Sequence, residues 1–399
     1  MIRFKNRDSA LTLLSSVFFI WGFITVASNS LIPHYKQLFN LDYQTVMLFL
    51  MSFFITRIVT SLPISFLMEK IGYKRTLKYC LYWCFLGCLA MAYFVQTETL
   101  TLTLLGILLM ASGISSIQVV SSPYVSLLST PDQSMRRQSI ATASNSIGTV
   151  LGPVVLSSII LIASTLGLVN TGQQISILFL VIAVYFLGLI ICFRAIELPD
   201  IRPSARIGFF SGFFILLKRP RFLKIAAVLL LYVGMEVCFG TFTITYLADE
   251  QFGGLGLVRA TQFIALYWAW MFFGRFAFAK YGHRAHSFRL FTIMCLLAIV
   301  VCLIATQVTS VFVGYLMIMV GLFNSVLYPI IYAQALRASG SYNSQGAAIL
   351  IMCTMGGAIL PLIQAIGIDK YGLSTSYWIP AISYVIMIGL FRGNLKNQT

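Results

Sequence analysis

The chain has 399 residues, of which 59% are hydrophobic and only 10% charged, and its mean hydropathy is +0.91. Soluble domains give about a quarter of their residues to charge, so this composition excludes them and leaves a polytopic α-helical membrane protein. The net charge of +16 does not point to nucleic acid: the basic residues fall in short turns between apolar runs, and no basic face interleaved with aromatics occurs.

A helix needs about 20 apolar residues to cross the hydrocarbon core, and the runs that meet this rule come in chain order as follows. Span one, 11–33, contains "FFIWGFITVASNSLIPHY", whose second half gathers Thr25, Ser28, Asn29 and Ser30 with no charge. It ends in Pro-His-Tyr, with His34 at the outer mouth, rather than in a small-residue cleavage site, so it reads as a span and not a leader. Span two, 44–67, carries Arg57 in "FFITRIVTSLP" and runs into the turn "SFLMEKIGYKR" at 65–75. Span three, 77–95, sets Cys80, Cys84 and Cys88 on one face. A soft-metal site would use that spacing, but small apolar packing residues are the expectation for cysteines in an apolar helix. Span four, 101–129, puts Gln118 near its centre among Ser115, Ser116, Ser121 and Ser122, and span five, 138–164, carries Asn145, Gly148 and Pro153. Span six covers 173–193.

The long connection 195–222 holds Pro199, Pro203 and Pro220 around "IGFFSGFFILL". This run is too short to span comfortably and is flanked by basic residues, which predicts an interfacial helix; the alternative, a thirteenth span, would invert the charge pattern of the second half. Span seven, 223–248, contains Glu236 in "YVGMEVCFG", the only acid well inside a span. Span eight, 259–280, brings Tyr267, Trp268, Trp270 and, near its end, Arg275; spans nine to twelve are 288–306, 309–337 with Asn324 and Tyr328, 344–367 and 374–392.

Basic residues alternate between the turns. One set of connections holds 22 and the other only Lys36, Arg259 and Lys370, which by the positive-inside rule places both termini in the cytoplasm. The expected fold class is therefore all-α and integral to the membrane, with twelve transmembrane helices in two six-helix pseudo-symmetric bundles. The N-terminal bundle is 1–194, the cytoplasmic linker 195–222 and the C-terminal bundle 223–399. The halves echo each other. Pro123 and Pro329 lie 206 residues apart, as do Gln118 and Asn324, and Gly148 and Pro153 correspond to Gly356 and Pro361 at a near-equal offset. Parallel repeats of this kind place a solute site at the midplane between bundles that rock about it. Gly113, Gly148, Gly152, Gly356 and Gly357 are expected to permit close helix approach, and Pro123, Pro153, Pro329 and Pro361 to soften helices that bend.

The 65–75 turn resembles the loop signature of the major facilitator superfamily, roughly G-x-L-x-D-R-x-G-R-K, with Glu69 for the aspartate and Ser65 for the first glycine. On that resemblance Glu69, Gly72, Lys74 and Arg75 form a gating loop. Longer stretches, among them "WGFITVASNSLIPHYKQLFNL", "IQVVSSPYVSLL", "RQSIATASNSIGT", "YWAWMFFGRF" and "GLFNSVLYPIIYAQAL", resemble the fucose:proton and glucose/galactose symporter family across both halves. That family implies a sugar-sized cavity closed alternately on each side. It also has an aspartate on span one and a glutamate on span four for proton coupling. Here those positions read Asn29 and Gln118, the family's Asn-Pro on span four is Ser122-Pro123, and a span-five glutamine is Thr142. Asn145 and Tyr328 keep the family's asparagine and tyrosine.

An amide cannot load and release a proton near neutral pH, but it donates and accepts hydrogen bonds, which suits hydroxyl-rich ligands. Asn29, Arg57, Gln118, Asn145, Asn324 and Tyr328 are the candidate substrate-binding residues. Glu236 is the candidate coupling site, and Arg275 reads as a gating residue. A buried charge costs at least about 2.5 kcal/mol on insertion scales, so Glu236 and Arg57 are expected to face a cavity or a partner. Three functions follow. The first is an importer of a monosaccharide or similar polar metabolite, with coupling to protons, to sodium or to neither left open. The second is a transporter of an organic anion or carboxylate siderophore anchored by Arg57. The third is a transport-dead solute receptor. No nucleophile elbow, phosphate loop or His-x-x-x-His spacing supports an enzyme, and no cofactor or metal is expected. The protein is expected to be a monomer in a bacterial inner membrane, with a small solute and the bilayer as its partners.

Overall fold

The structure, a computed structural model, describes residues 7–128, 131–168, 170–195, 209–281, 287–340 and 342–395. Arg3, Lys5, Pro199, Arg202, Pro203, Arg206, Arg284 and Lys396 lie outside the described residues, as does the side chain of Glu69. Sixteen α-helices and one 3-10 turn account for the described elements, with no strand among them. They are α1 Arg7–Ser30, α2 Ile32–Leu38, α3 Tyr43–Ile71, α4 Tyr73–Gln96, α5 Leu100–Leu127, α6 Pro131–Thr165, α7 Thr171–Ala195 and α8 Phe209–Leu217. The remainder are α9 Pro220–Ala248, α10 Leu257–Tyr281, α11 Ser287–Gln307, α12 Val311–Ser325, α13 Leu327–Ser339, α14 Asn343–Cys353, α15 Gly356–Tyr371 and α16 Trp378–Leu395.

Each predicted span coincides with one helix or with a broken pair. Among the described residues, ten segments are long and apolar enough to cross a membrane; α10 and α16 occupy the other two predicted positions. The breaks have local causes. α1 gives way to α2 at Leu31, two residues before Pro33, and α12 to α13 at Val326, three before Pro329. A proline has no N–H for the carbonyl four residues back, so the carbonyls of Asn29 and Ser325 lose their helical donors. α14 and α15 part just ahead of Gly356-Gly357. Pro123, Pro153 and Pro361 instead lie inside uninterrupted helices.

The chain divides into two compact units, Met1–Phe39 with Ser52–Ala205, and Asn40–Met51 with Arg206–Thr399. In the first, α1 and α6 approach through glycine. A Cβ on Gly148 would press on the backbone of Phe19 and lie 2.8 Å from the nitrogen of Phe23, and one on Gly152 would lie 2.9 Å from the Phe23 carbonyl. α4 and α5 close in the same way at Gly113, against Cys84. Cys80, Cys84 and Cys88 are buried packing residues, and no group of three metal-ligating side chains occurs among the described residues. We expect Gly148→Val to destabilise the protein by about 1–3 kcal/mol, because its neighbour is backbone that cannot swing away. Gly188→Ala, with nothing within 4 Å, is expected to be neutral. Thermal unfolding in detergent compares the two.

In the second unit, α9 packs on α15 where Gly356 meets the backbone of Leu230, and Gly234 meets Leu360. This unit also takes in the first residues of α3. The carboxylate of Asp369, at the end of α15, accepts from the backbone N–H of Tyr43 at 3.0 Å and of Gln44 at 2.7 Å. Asp42 serves Thr45 with its side chain at 2.8 Å and Val46 with its carbonyl at 3.2 Å. A helix start leaves four N–H groups without internal partners; here those of Tyr43, Gln44 and Thr45 are met by carboxylates, two of them by a residue far along the chain.

Large apolar side chains such as Val59, Phe66, Tyr93, Ile191 and Phe276 stand exposed. Patches of this extent mark a surface that meets something other than water, here the hydrocarbon of the bilayer.

Candidate functional site

The polar cluster of the first span sits at the end of α1. Asn29 is only 2% exposed and Ser30 fully buried, and among the described residues no hydrogen-bond partner meets Ser28 Oγ, Asn29 Oδ1 or Ser30 Oγ. Buried polar atoms are ordinarily paired. Three in succession, beside a carbonyl already released by Pro33, form a patch of unused hydrogen-bonding capacity. His34 follows in α2, fully buried; burial lowers its pKa to about 4, so it stays neutral near pH 7 and adds no charge to the patch.

The other candidates of this unit differ in how far they are committed. Gln118 is half-buried on α5 and makes no hydrogen bond to a described residue. Asn145 Nδ2 donates to the carbonyl of Phe18 at 3.0 Å, which ties α6 to α1 and leaves only its oxygen end for a ligand. Arg57 is half-buried, with its guanidinium 4.7 Å from the ring centre of Phe54 and 5.6 Å from that of Phe53. These cation–π contacts give the charge a local partner. One residue earlier, the hydroxyls of Thr56 and Ser115 meet at 3.2 Å and join α3 to α5.

In the second unit the sequence reading treats Glu236 and Arg275 separately, whereas the structure joins them. Arg275 Nη2 lies 3.3 Å from Glu236 Oε1, with side-chain exposures of 32% and 15%. Glu236 is therefore half of an ion pair rather than a lone intramembrane acid, and Arg275 is its counter-charge. The pair sits in a wider network. Tyr267 donates through its hydroxyl to the carbonyl of Glu236 at 3.3 Å and accepts from Asn324 Nδ2 at 3.1 Å. Tyr384 donates to Asn324 Oδ1 at 2.7 Å. Asn324 is fully buried with both ends of its amide engaged, so its contacts are those of a structural hub, not of a ligand-facing amide. Tyr328 is 36% exposed and stacks on Tyr332 at 5.6 Å.

Residues that sequence reasoning passed over also carry unused capacity. Gln364 Oε1, Thr241 Oγ1 and Thr243 Oγ1 are buried without a hydrogen-bond partner among the described residues. So is Trp268 Nε1. Gln364 carried the same signal that singled out Gln118, an amide inside an apolar run. Of the aromatics on the first and eighth spans, Tyr267 and Trp268 are buried edge-to-face at 5.2 Å, Trp21 packs on Phe18 at 5.6 Å, and Trp270 is exposed.

In the 65–75 turn, Gly72 has φ +84° and caps the start of α4, a conformation that only glycine adopts without strain. Lys74 is half-buried and Arg75 exposed. The same backbone recurs at Gly372, again φ +84°, after Asp369-Lys370-Tyr371, which repeats the acid-Lys-x-Gly order of Glu69-Lys70-Ile71-Gly72.

Comparison with known proteins gives a consistent picture. The profile described as Major Facilitator Superfamily matches residues 13–361. A glucose/galactose transporter of Brucella abortus is 32% identical over 95% of this chain and 92% of its own length. The L-fucose-proton symporter of Escherichia coli is 24% identical over 97% and 93%. A crystal structure of the Escherichia coli fucose:proton symporter superposes with a TM-score of 0.70 at 20% identity, covering 98% of this chain and 99% of that one.

Proposed function

The chain belongs to the major facilitator superfamily, whose members carry solutes by alternating access, and from that premise we propose that its solute is a neutral monosaccharide. The observation that supports this most is the run of buried, unpartnered polar atoms at Ser28, Asn29 and Ser30. An uncharged set of acceptors and hydroxyls matches the donors and acceptors of a sugar and offers no counter-charge to an ion. The names carried by the Brucella and Escherichia relatives lie in the same substrate class. The organic-anion and siderophore reading is weaker, because Arg57 already rests on Phe53 and Phe54.

Asn29 and Gln118 cannot carry a proton, so coupling, in this proposal, passes to the Glu236–Arg275 pair. Protonating the carboxylate removes the attraction across 3.3 Å and frees both side chains to move. In this proposal the protein acts as a monomer in a bacterial inner membrane, and the alternation of basic turns supports placing both termini and the 195–222 linker in the cytoplasm.

Uptake in proteoliposomes under imposed proton and sodium gradients tests this. We expect saturable uptake of a neutral hexose or deoxyhexose, driven by a proton gradient and largely kept in Arg57→Ala. Uptake restricted to anions and lost in Arg57→Ala would restore the anion reading. Binding without flux under any gradient would make the protein a solute receptor.

A further inference from the structure

A shallow groove of about 150 Å³ lies between α4 and α7, lined by Lys78, Leu81, Tyr82, Ile190, Phe193 and Arg194. It is an open surface depression that encloses next to no space of its own, so its shape does not suit a transported solute. Leu81, Ile190 and Phe193 are buried and form an apolar floor, while Lys78 and Arg194 stand exposed at the rim. No lining residue is acidic.

The arginine is held in place. Its Nη2 donates to the hydroxyl of Tyr82 at 2.6 Å, and the guanidinium lies 6.0 Å from the centre of that ring. Among the described residues this engages one of its five N–H donors, and the fixed partner aims the rest of the fork. Lys78 lies near the start of α4 and Arg194 near the end of α7, so two cations meet at one level. Further along, α4 exposes Tyr79, Trp83 and Leu86, and α7 exposes Ile191, Leu187 and Val184. These recur every three or four residues and so form one apolar stripe on each helix.

Two cations above a paired apolar stripe are the two halves of a phospholipid site. Basic pockets between transmembrane helices recognise anionic head groups, and both cations belong to the basic set of connections that the positive-inside rule places in the cytoplasm. We propose that this groove binds one anionic phospholipid of the cytoplasmic leaflet, its phosphate between Lys78 and Arg194 and an acyl chain along the stripe. The assignment is independent of the identity of the solute.

Native mass spectrometry of the detergent-solubilised protein titrated with phosphatidylglycerol, phosphatidylcholine or inorganic phosphate tests it. We expect phosphatidylglycerol to be retained in preference to phosphatidylcholine. Its affinity should fall roughly 30-fold in Lys78→Ala/Arg194→Ala, the effect of about two surface cations. Lys224→Ala, which removes a cation of the same basic set outside the groove, should bind as the parent protein does. Tyr82→Phe removes only the hydroxyl that aims Arg194 and should weaken binding several-fold, so it serves as the test should the double variant fold poorly. Unchanged retention in both Tyr82→Phe and the double variant would overturn the proposal. So would equal retention of phosphatidylcholine, or displacement of the lipid by inorganic phosphate at similar concentration.

Discussion

Replacing Glu236 by alanine is expected to destabilise the protein by about 2–3 kcal/mol, while Glu236→Gln with Arg275→Gln together recovers most of that loss. Removing one partner of a buried ion pair strands the other charge, at a cost of about 3–5 kcal/mol when burial is complete. The Arg275 side chain is 32% exposed, so partial hydration brings the figure down. Removing both charges leaves two amides that can still hydrogen-bond. Thermal unfolding in detergent measures the stability difference, and transport assays separate the roles. If the pair couples transport to protons, Glu236→Gln keeps sugar exchange at equal concentrations on both sides but loses accumulation against a gradient. Accumulation that persists in Glu236→Gln would remove the pair from coupling and leave it a structural bridge between α9 and α10.

The second large effect is a contrast between two asparagines. Asn29→Ala is expected to cut sugar uptake by about tenfold or more, the loss of one hydrogen bond of roughly 1.4 kcal/mol, with no loss of thermal stability. Its Oδ1 has no partner within the described protein, so truncation orphans nothing. Asn324→Ala is expected to do the reverse. It strips the buried Tyr384 hydroxyl of its acceptor and leaves the Tyr267 hydroxyl only its bond to the Glu236 carbonyl, at about 1–3 kcal/mol for a group left unsatisfied. Measuring unfolding and uptake on both variants decides the matter. A large stability loss in Asn29→Ala would make it a packing residue and remove the main support for the sugar site.

Much of the fold is legible in the sequence because lipid imposes a single rule, that every spanning segment satisfy its own backbone in an apolar helix. That rule finds the helices, and the proline positions locate the interruptions near Leu31 and Val326. The candidate site is legible only in part. Asn29 and Asn324 are the same residue in the same kind of apolar run, and only their neighbours distinguish an unspent amide from a fully engaged one. Glu236 and Arg275 are 39 positions apart on different helices; their pairing depends on the relative rotation of α9 and α10, which no single-helix pattern encodes. Arg57 appears in the sequence as an unexplained charge because stacking on Phe53 and Phe54 becomes visible only once rotamers are known. Gln364 was readable and was passed over, since it sits alone in "PLIQAIG" without the serines that draw attention to Gln118.

The carboxylate of Asp369 reaches across 326 positions of chain to close the start of α3. A helix whose first turn is finished by a distant residue carries its own reporter. While Asp369 is in place the amide protons of Tyr43 and Gln44 are withheld from solvent exchange, and whenever it leaves they are surrendered together. Because both bonds lie at an exposed edge, water can replace them at little cost, so the closure is reversible. The exchange rate of these two amides, followed with and without solute, would therefore count how often the helix start is released.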